Sequence, residues 1–153
     1  QRIEISPHLT LIDTPGVLWP NIENKNSGYR LAATGAIKDT AIDLQDIACF
    51  VAEFMLENYP TNIQSRYALE KLPNGEIELL EAIARKRGCI VSGGVVDFEK
   101  VSRIVVSDLR SRGFDGICME TPTQIIKELA ELDGLRALKL ERAQEKRSKR
   151  KGR

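Results

Sequence analysis

The residues best placed to do chemistry are Asp13 and Gly16, in the run Leu9-Thr10-Leu11-Ile12-Asp13-Thr14-Pro15-Gly16. Leu9, Leu11 and Ile12 with β-branched Thr10 predict a buried strand, which Thr-Pro-Gly cannot continue. Asp13 therefore stands at the carboxyl end of a strand, where open α/β sheets bind their ligands. A carboxylate there is a hard oxygen ligand suited to holding Mg²⁺ through a water. Gly16 lacks a Cβ, so its backbone N–H is free to approach a terminal phosphate and to change conformation when that phosphate leaves. On local chemistry alone, Asp-x-Pro-Gly after a strand is more often an ordinary turn.

The surrounding sequence changes that balance. Asp13-Thr14-Pro15-Gly16-Val17-Leu18-Trp19-Pro20 is followed by Arg30-Leu31-Ala32-Ala33-Thr34-Gly35-Ala36-Ile37-Lys38-Asp39. Arg85-Lys86-Arg87-Gly88-Cys89 then comes with Ser92-Gly93-Gly94. In this order, over nearly the whole chain, the sequence resembles the ribosome biogenesis GTPase A family of circularly permuted GTPases. The resemblance implies an α/β P-loop GTPase remnant, made of a strand hairpin and a switch loop, followed by a mostly α-helical domain. The implied layout is residues 1–40 as the carboxyl-terminal part of a circularly permuted GTPase domain, 41–135 as a helical ribosome- and RNA-docking domain, and 136–153 as a basic tail.

The same resemblance implies GTP and Mg²⁺ as cofactors, with Asp13, Thr14, Pro15 and Gly16 at the nucleotide and Asp13 holding the metal through water. Val17 stands where many GTPases carry a water-orienting Gln. An apolar side chain cannot orient water, so a bound cation such as K⁺ or a group supplied by a partner is expected to do so. The implied function is GTP-dependent assembly of the large ribosomal subunit, with its rRNA as partner, in a monomer of the cytoplasm or, alternatively, of the mitochondrial matrix. A working GTPase also needs Gly-x-x-x-x-Gly-Lys-Ser/Thr and an Asn-Lys-x-Asp guanine reader, and the sequence holds neither. In the permuted family those motifs precede Asp-x-x-Gly. The chain is therefore expected to be the carboxyl-terminal part of a longer enzyme, inactive alone. The alternative is a non-catalytic rRNA-binding module with a vestigial Asp-x-x-Gly turn.

Composition bounds these readings. The 153 residues are 42% hydrophobic and 29% charged, a globular balance. No apolar run approaches the length that spans a bilayer, and Gln1-Arg2-Ile3-Glu4-Ile5 is not a signal peptide, so no membrane role is expected. Cys49, Cys89 and Cys118 form no C-x-x-C, and His8 is the one histidine, which argues against zinc, disulfides and a His-based catalytic pair. The net charge of +1 hides an asymmetry: from Arg136 onward nine Lys/Arg face two Glu. The tail residues Lys146, Arg147, Lys149, Arg150 and Lys151 are RNA-phosphate candidates, together with Arg85, Lys86, Arg87 and Arg103. For the Arg85–Arg87 run, stabilising a helix end is an equally good reading.

Elements that must position these groups follow from pattern. Arg2 to Ile5 and Leu9 to Asp13 predict a hairpin, and Val17 to Tyr29 a loop. A short helix is expected across Arg30–Lys38. Leu44, Ile47, Ala48, Val51 and Met55 form an apolar stripe in a helix predicted over 41–59, capped by Asp39 or Thr40 and stopped by Pro60. Further helices are predicted over 61–69, 76–87 and from the Asp97 cap to about Arg112, with Arg103, Arg110 and Arg112 outward. Cys89 to Val96 reads as a loop with apolar anchors, and Phe114 to Glu120 as an extended return. A last helix begins at Thr121-Pro122, buries Ile125, Ile126, Leu129 and Leu132, and frays or disorders in the tail.

Overall fold

A computed structural model describes residues 2–12, 22–37, 42–111, 113–114 and 116–151, leaving aside the side chains of 143 and 145–151. It is mostly helical with one antiparallel hairpin. Strands β1 (Arg2–Ser6) and β2 (Leu9–Ile12) pair Arg2 with Ile12 and Ile3 with Leu11, and a register shift between Glu4 and Ser6 leads into the Pro7-His8 turn. The strand expected to be buried is not: Ile3, Ile5, Leu9, Leu11 and Ile12 are 45–60% exposed. Two strands bury nothing on their own, and no described element covers either face.

The core is built around α2 (Leu44–Asn58), whose Ile47, Ala48, Val51, Ala52 and Met55 are fully buried. Asp43, rather than a residue farther upstream, caps it by accepting from Gln45 N–H at 2.7 Å. The expected caps Asp39 and Thr40 lie outside the described residues. Against α2 pack α4 (Glu76–Arg87) through Leu79, Leu80, Ile83 and Ala84, and α5 (Phe98–Arg110) through Val101, Val105 and Val106. Each large side chain so buried contributes about 1.5–3 kcal/mol. Pro60 ends α2 but is also the first residue of α3 (Pro60–Tyr67), because a proline at that position lacks only an N–H the helix does not use.

Two expected loops carry more structure than their composition suggests. Helix α1 (Lys25–Ala33) starts inside the Asn-rich segment, where Asn24 Oδ1 accepts from Asn26 N–H at 2.9 Å, and it ends before Gly35, which sits at φ +77°. Ala32 and Ala33 join the core. Between α4 and α5, Ile90 bridges Val96 across Gly93 and Gly94, both at positive φ. Here Cys89 is the buried anchor, while Ile90, Val91 and Val95 are exposed, contrary to expectation. The expected extended return is irregular over residues 116–120 and is held by Tyr59, whose hydroxyl donates to Cys118 O and accepts from Cys118 N–H.

Helix α6 (Pro122–Lys151) starts at the expected proline and continues through Gly134 and the basic tail to Lys151, rather than fraying. Its expected apolar face is not buried: Ile125, Ile126 and Leu129 are exposed and Leu132 is half-buried. Polar contacts, described below, hold this helix instead.

Candidate functional site

Strand β2 ends at Ile12, so the residue that follows the hairpin in the chain is Asp13. Asp13, Thr14, Pro15, Gly16 and Val17 themselves lie outside the described residues. Among the described residues, no group of three or more His, Cys, Asp or Glu side chains is arranged to hold a metal ion.

The basic candidates separate into distinct environments. Helix α4 has Glu76 and Glu78 in its first turn and Arg85, Lys86 and Arg87 in its last, the order the helix dipole favours, and Gly88 closes it at φ +67°. Arg85 pairs with Glu81 at 3.2 Å across one turn and, with Lys86, lines a shallow groove shared with Lys71, Leu69, Glu70 and Ala82. Lys71, in the turn before α4, is a cation that sequence spacing alone does not connect to this pair. Arg103 is not in that groove. It pairs with Glu99 at 2.5 Å and lines a different one with Leu44, Val106, Ser107, Arg110 and Ser111. Exposed pairs of this kind are worth little, so neither Glu81 nor Glu99 holds its arginine firmly.

Arg87 is differently placed. Its guanidinium lies 5.3 Å from the centre of the Tyr67 ring and 3.7 Å from Asp108. Asp108 accepts from Arg66 Nε (3.1 Å) and Nη2 (2.6 Å) and from the Tyr67 hydroxyl (3.0 Å). Burial opposes ionisation of Asp108, but donation from Arg66 and Tyr67 outweighs it and holds the carboxyl below its ordinary range. Burial, reinforced by the Asp108 charge, pushes the Tyr67 hydroxyl strongly upward. Arg87 is thus part of a structural network joining α3, α4 and α5. The side chains of Lys146, Arg147, Lys149, Arg150 and Lys151 lie outside the description, though their backbone is helical.

Arg110 is exposed, as expected, and from there it also donates to Ala33 O from Nε at 3.1 Å and to Ala32 O from Nη2 at 2.7 Å, capping the carbonyl end of α1. Arg112 lies outside the described residues. Arg30 is a buried arginine whose partner the sequence does not reveal. Arg30, only 7% exposed, donates to Glu128 Oε2 from Nη1 at 2.9 Å and to Glu128 Oε1 from Nη2. Asn24 Nδ2 (2.6 Å) and Asn26 Nδ2 (3.3 Å) donate to the same carboxylate. The Arg30 fork, opposed by burial and helped by both asparagines, lowers the Glu128 carboxyl to about 2. These partners are about a hundred residues apart, so no local pattern announces them.

No family model matches the chain. Among curated proteins, it is 43% identical over 122 residues to the ribosome biogenesis GTPase A of Bacillus pumilus, a match that covers 80% of this chain and 43% of that protein. It is 38% identical over 133 residues to the ribosome biogenesis GTPase A of Bacillus cereus, covering 87% of this chain and 45% of that one. A mitochondrial ribosome-associated GTPase 1 of Xenopus tropicalis is 36% identical over 88 residues, 57% of this chain and 28% of the relative. The chain thus spans less than half the length of the curated relatives it matches.

Proposed function

We infer, for a chain that belongs to the ribosome biogenesis GTPase A family, a part in GTP-driven assembly of the large ribosomal subunit. The observation that carries this reading is the hairpin: β2 stops at Ile12, and the next residues in the chain are Asp13-Thr14-Pro15-Gly16. In this reading residues 1–40 belong to a permuted GTPase domain, 41–135 dock on the ribosome and 136–153 add cationic reach. Asp13 holds Mg²⁺ through water, Thr14 and Pro15 set the turn, and Gly16 offers its N–H to the terminal phosphate. Bound Mg²⁺ would neutralise charge on the transferring phosphoryl group. Val17 leaves orientation of the attacking water to a K⁺ ion or to a partner.

The terminal phosphate biases the segment around Gly16 between two conformations, and its loss releases the factor from the subunit. Lys71, Arg85, Lys86 and the α6 tail supply sequence-independent contacts to rRNA phosphates. For these 153 residues taken alone, the lack of Gly-x-x-x-x-Gly-Lys-Ser/Thr in the sequence favours a second reading, RNA docking without catalysis. Binding of a fluorescent GTP analogue and of assembling large subunits, measured for this chain and for one extended through an upstream phosphate loop, separates the two. The GTPase reading expects nucleotide binding by the extended chain. If neither chain binds nucleotide, the docking module is the better account.

A further inference from the structure

Helix α6 is joined to the protein by polar groups while its larger apolar residues stay in solvent. Ile126 is 69% exposed, Leu129 52%, Leu135 54% and Leu138 50%. The contacts that hold it converge on one short stretch, Glu23 to Arg30. Glu128 takes two donors from Arg30 and one each from Asn24 and Asn26. Arg30 Nη1 also lies 3.6 Å from Glu120, just before α6. Two turns farther along, Arg136 donates from Nε at 2.9 Å and Nη2 at 2.5 Å to Glu23.

Asn24 serves both helices at once. Its Oδ1 caps α1 at Asn26 N–H, and its Nδ2 donates to Glu128. A displacement that carries Asn24 away therefore uncaps α1 and strips a donor from α6 in the same step. Arg30 is buried, with Nε enclosed and without a hydrogen-bond partner among the described residues, so it is not free to follow a retreating carboxylate into solvent. Directional, charge-assisted bonds weaken steeply with distance and misalignment. With no large apolar interface behind them among the described residues, they hold α6 in one position or let it go.

We propose that Arg30 and Glu128, with Asn24, Asn26 and the Glu23–Arg136 pair, form a clasp that couples the segment following the Asp-x-x-Gly turn to α6 and its basic end. Asn24 stands eight residues after Gly16 in the chain. The closed clasp points the basic end of α6 for RNA. Displacement of Glu23, Asn24 and Asn26 opens it, frees the helix and weakens RNA binding. Arg30 and Glu128 are positioning residues that act through α6. The coupling rests on the GTPase reading above.

Hydrogen exchange tests it in two arms. In the 153-residue chain, Glu128→Gln keeps the shape of the side chain and removes its charge. Protection of α6 amides from Lys127 to Asp133 should fall about tenfold while α2 and α5 amides stay unchanged. Arg136→Gln, a change at an exposed site, should lower protection only around its own turn. Loss spread evenly over the core, or no loss in α6, overturns the clasp. In the chain extended through its nucleotide-binding part, exchanging GDP for a non-hydrolysable GTP analogue should change α6 protection severalfold, and Glu128→Gln should abolish that difference with nucleotide affinity unchanged. If nucleotide binds but leaves wild-type α6 unaffected, the coupling is wrong and the GTPase reading stands. If nucleotide does not bind at all, the GTPase reading fails, and the coupling with it.

Discussion

Replacing Asp108 by Ala should destabilise the fold more than any other single surface-proximal change. The carboxylate accepts from both Arg66 nitrogens and from the Tyr67 hydroxyl, and Arg87 stands beside it. Tyr67 is 3% exposed, so its stranded hydroxyl costs about 1–3 kcal/mol. The arginine side chains are 36–39% exposed and rehydrate on release, so the lost ion pairs add about 1 kcal/mol rather than the value of a buried pair. The sum is about 3 kcal/mol. Asp108→Asn, which keeps an acceptor for Tyr67, should lose about half of that. Because Asp108 is held below its ordinary carboxyl range, its contribution is fully present above the unfolded carboxyl pKa and disappears as pH falls through the folded one. Urea unfolding at pH 7 and again near pH 3 reads both effects. The double variant Tyr67→Phe/Asp108→Ala should recover about 1 kcal/mol over Asp108→Ala, since no hydroxyl is then stranded. An Asp108→Ala loss below about 0.5 kcal/mol at pH 7, or one independent of pH, would refute the reasoning.

Gly113→Ala should cost about 1–3 kcal/mol, because a Cβ there would lie 2.7 Å from Asp108 O, the carbonyl that Gly113 N–H itself bonds at 2.7 Å. Thermal unfolding monitored by circular dichroism checks it, and an unchanged midpoint means that the close approach is not enforced. Acid should loosen α6 before the core: Glu128 titrates at about 2 when folded against 4.5 as a free side chain, so clasp stability present above pH 4.5 is lost as pH drops toward 2. Hydrogen exchange at pH 3 should therefore show α6 less protected relative to α2 than at pH 6. For RNA binding, Arg85→Ala/Lys86→Ala and deletion of residues 142–153 should each weaken affinity and flatten its salt dependence. Arg103→Ala, in a separate groove, should change the slope less, and a larger effect from Arg103 would relocate the interface to α5.

The helices most legible in the sequence carry their own stop and start signals. Helix α4 runs from acids to cations and closes on Gly88, and α5 begins at Asp97, whose Oδ1 accepts from Lys100 N–H at 2.9 Å. Helix α1 was expected only from Arg30 on, and its start at Lys25 was hidden because its cap, Asn24, sits among other loop-forming residues, while a buried Arg30 makes sense only once Glu128 is beside it. The apolar residues of α6 follow a helical spacing that normally predicts burial, yet the contacts holding that helix are ionic and come from far along the chain. Strand β2 has the composition of an interior strand while its apolar side chains remain exposed. Arg85, Lys86 and Arg87 are adjacent in sequence, yet the fold commits Arg87 to Tyr67 and Asp108 and brings Lys71 to the other two. The candidate nucleotide residues were legible only as a motif, since Asp13 to Val17 fall outside the described residues.

The central claim is that Asp13 serves GTP hydrolysis. The most direct measurement is single-turnover GTP hydrolysis by the protein extended through its phosphate loop, with assembling large ribosomal subunits present, comparing wild type with Asp13→Ala at matched subunit occupancy. The account predicts a fall of about a hundredfold or more in the hydrolysis rate. Hydrolysis by Asp13→Ala at the wild-type rate would contradict it and leave the turn after β2 a structural one.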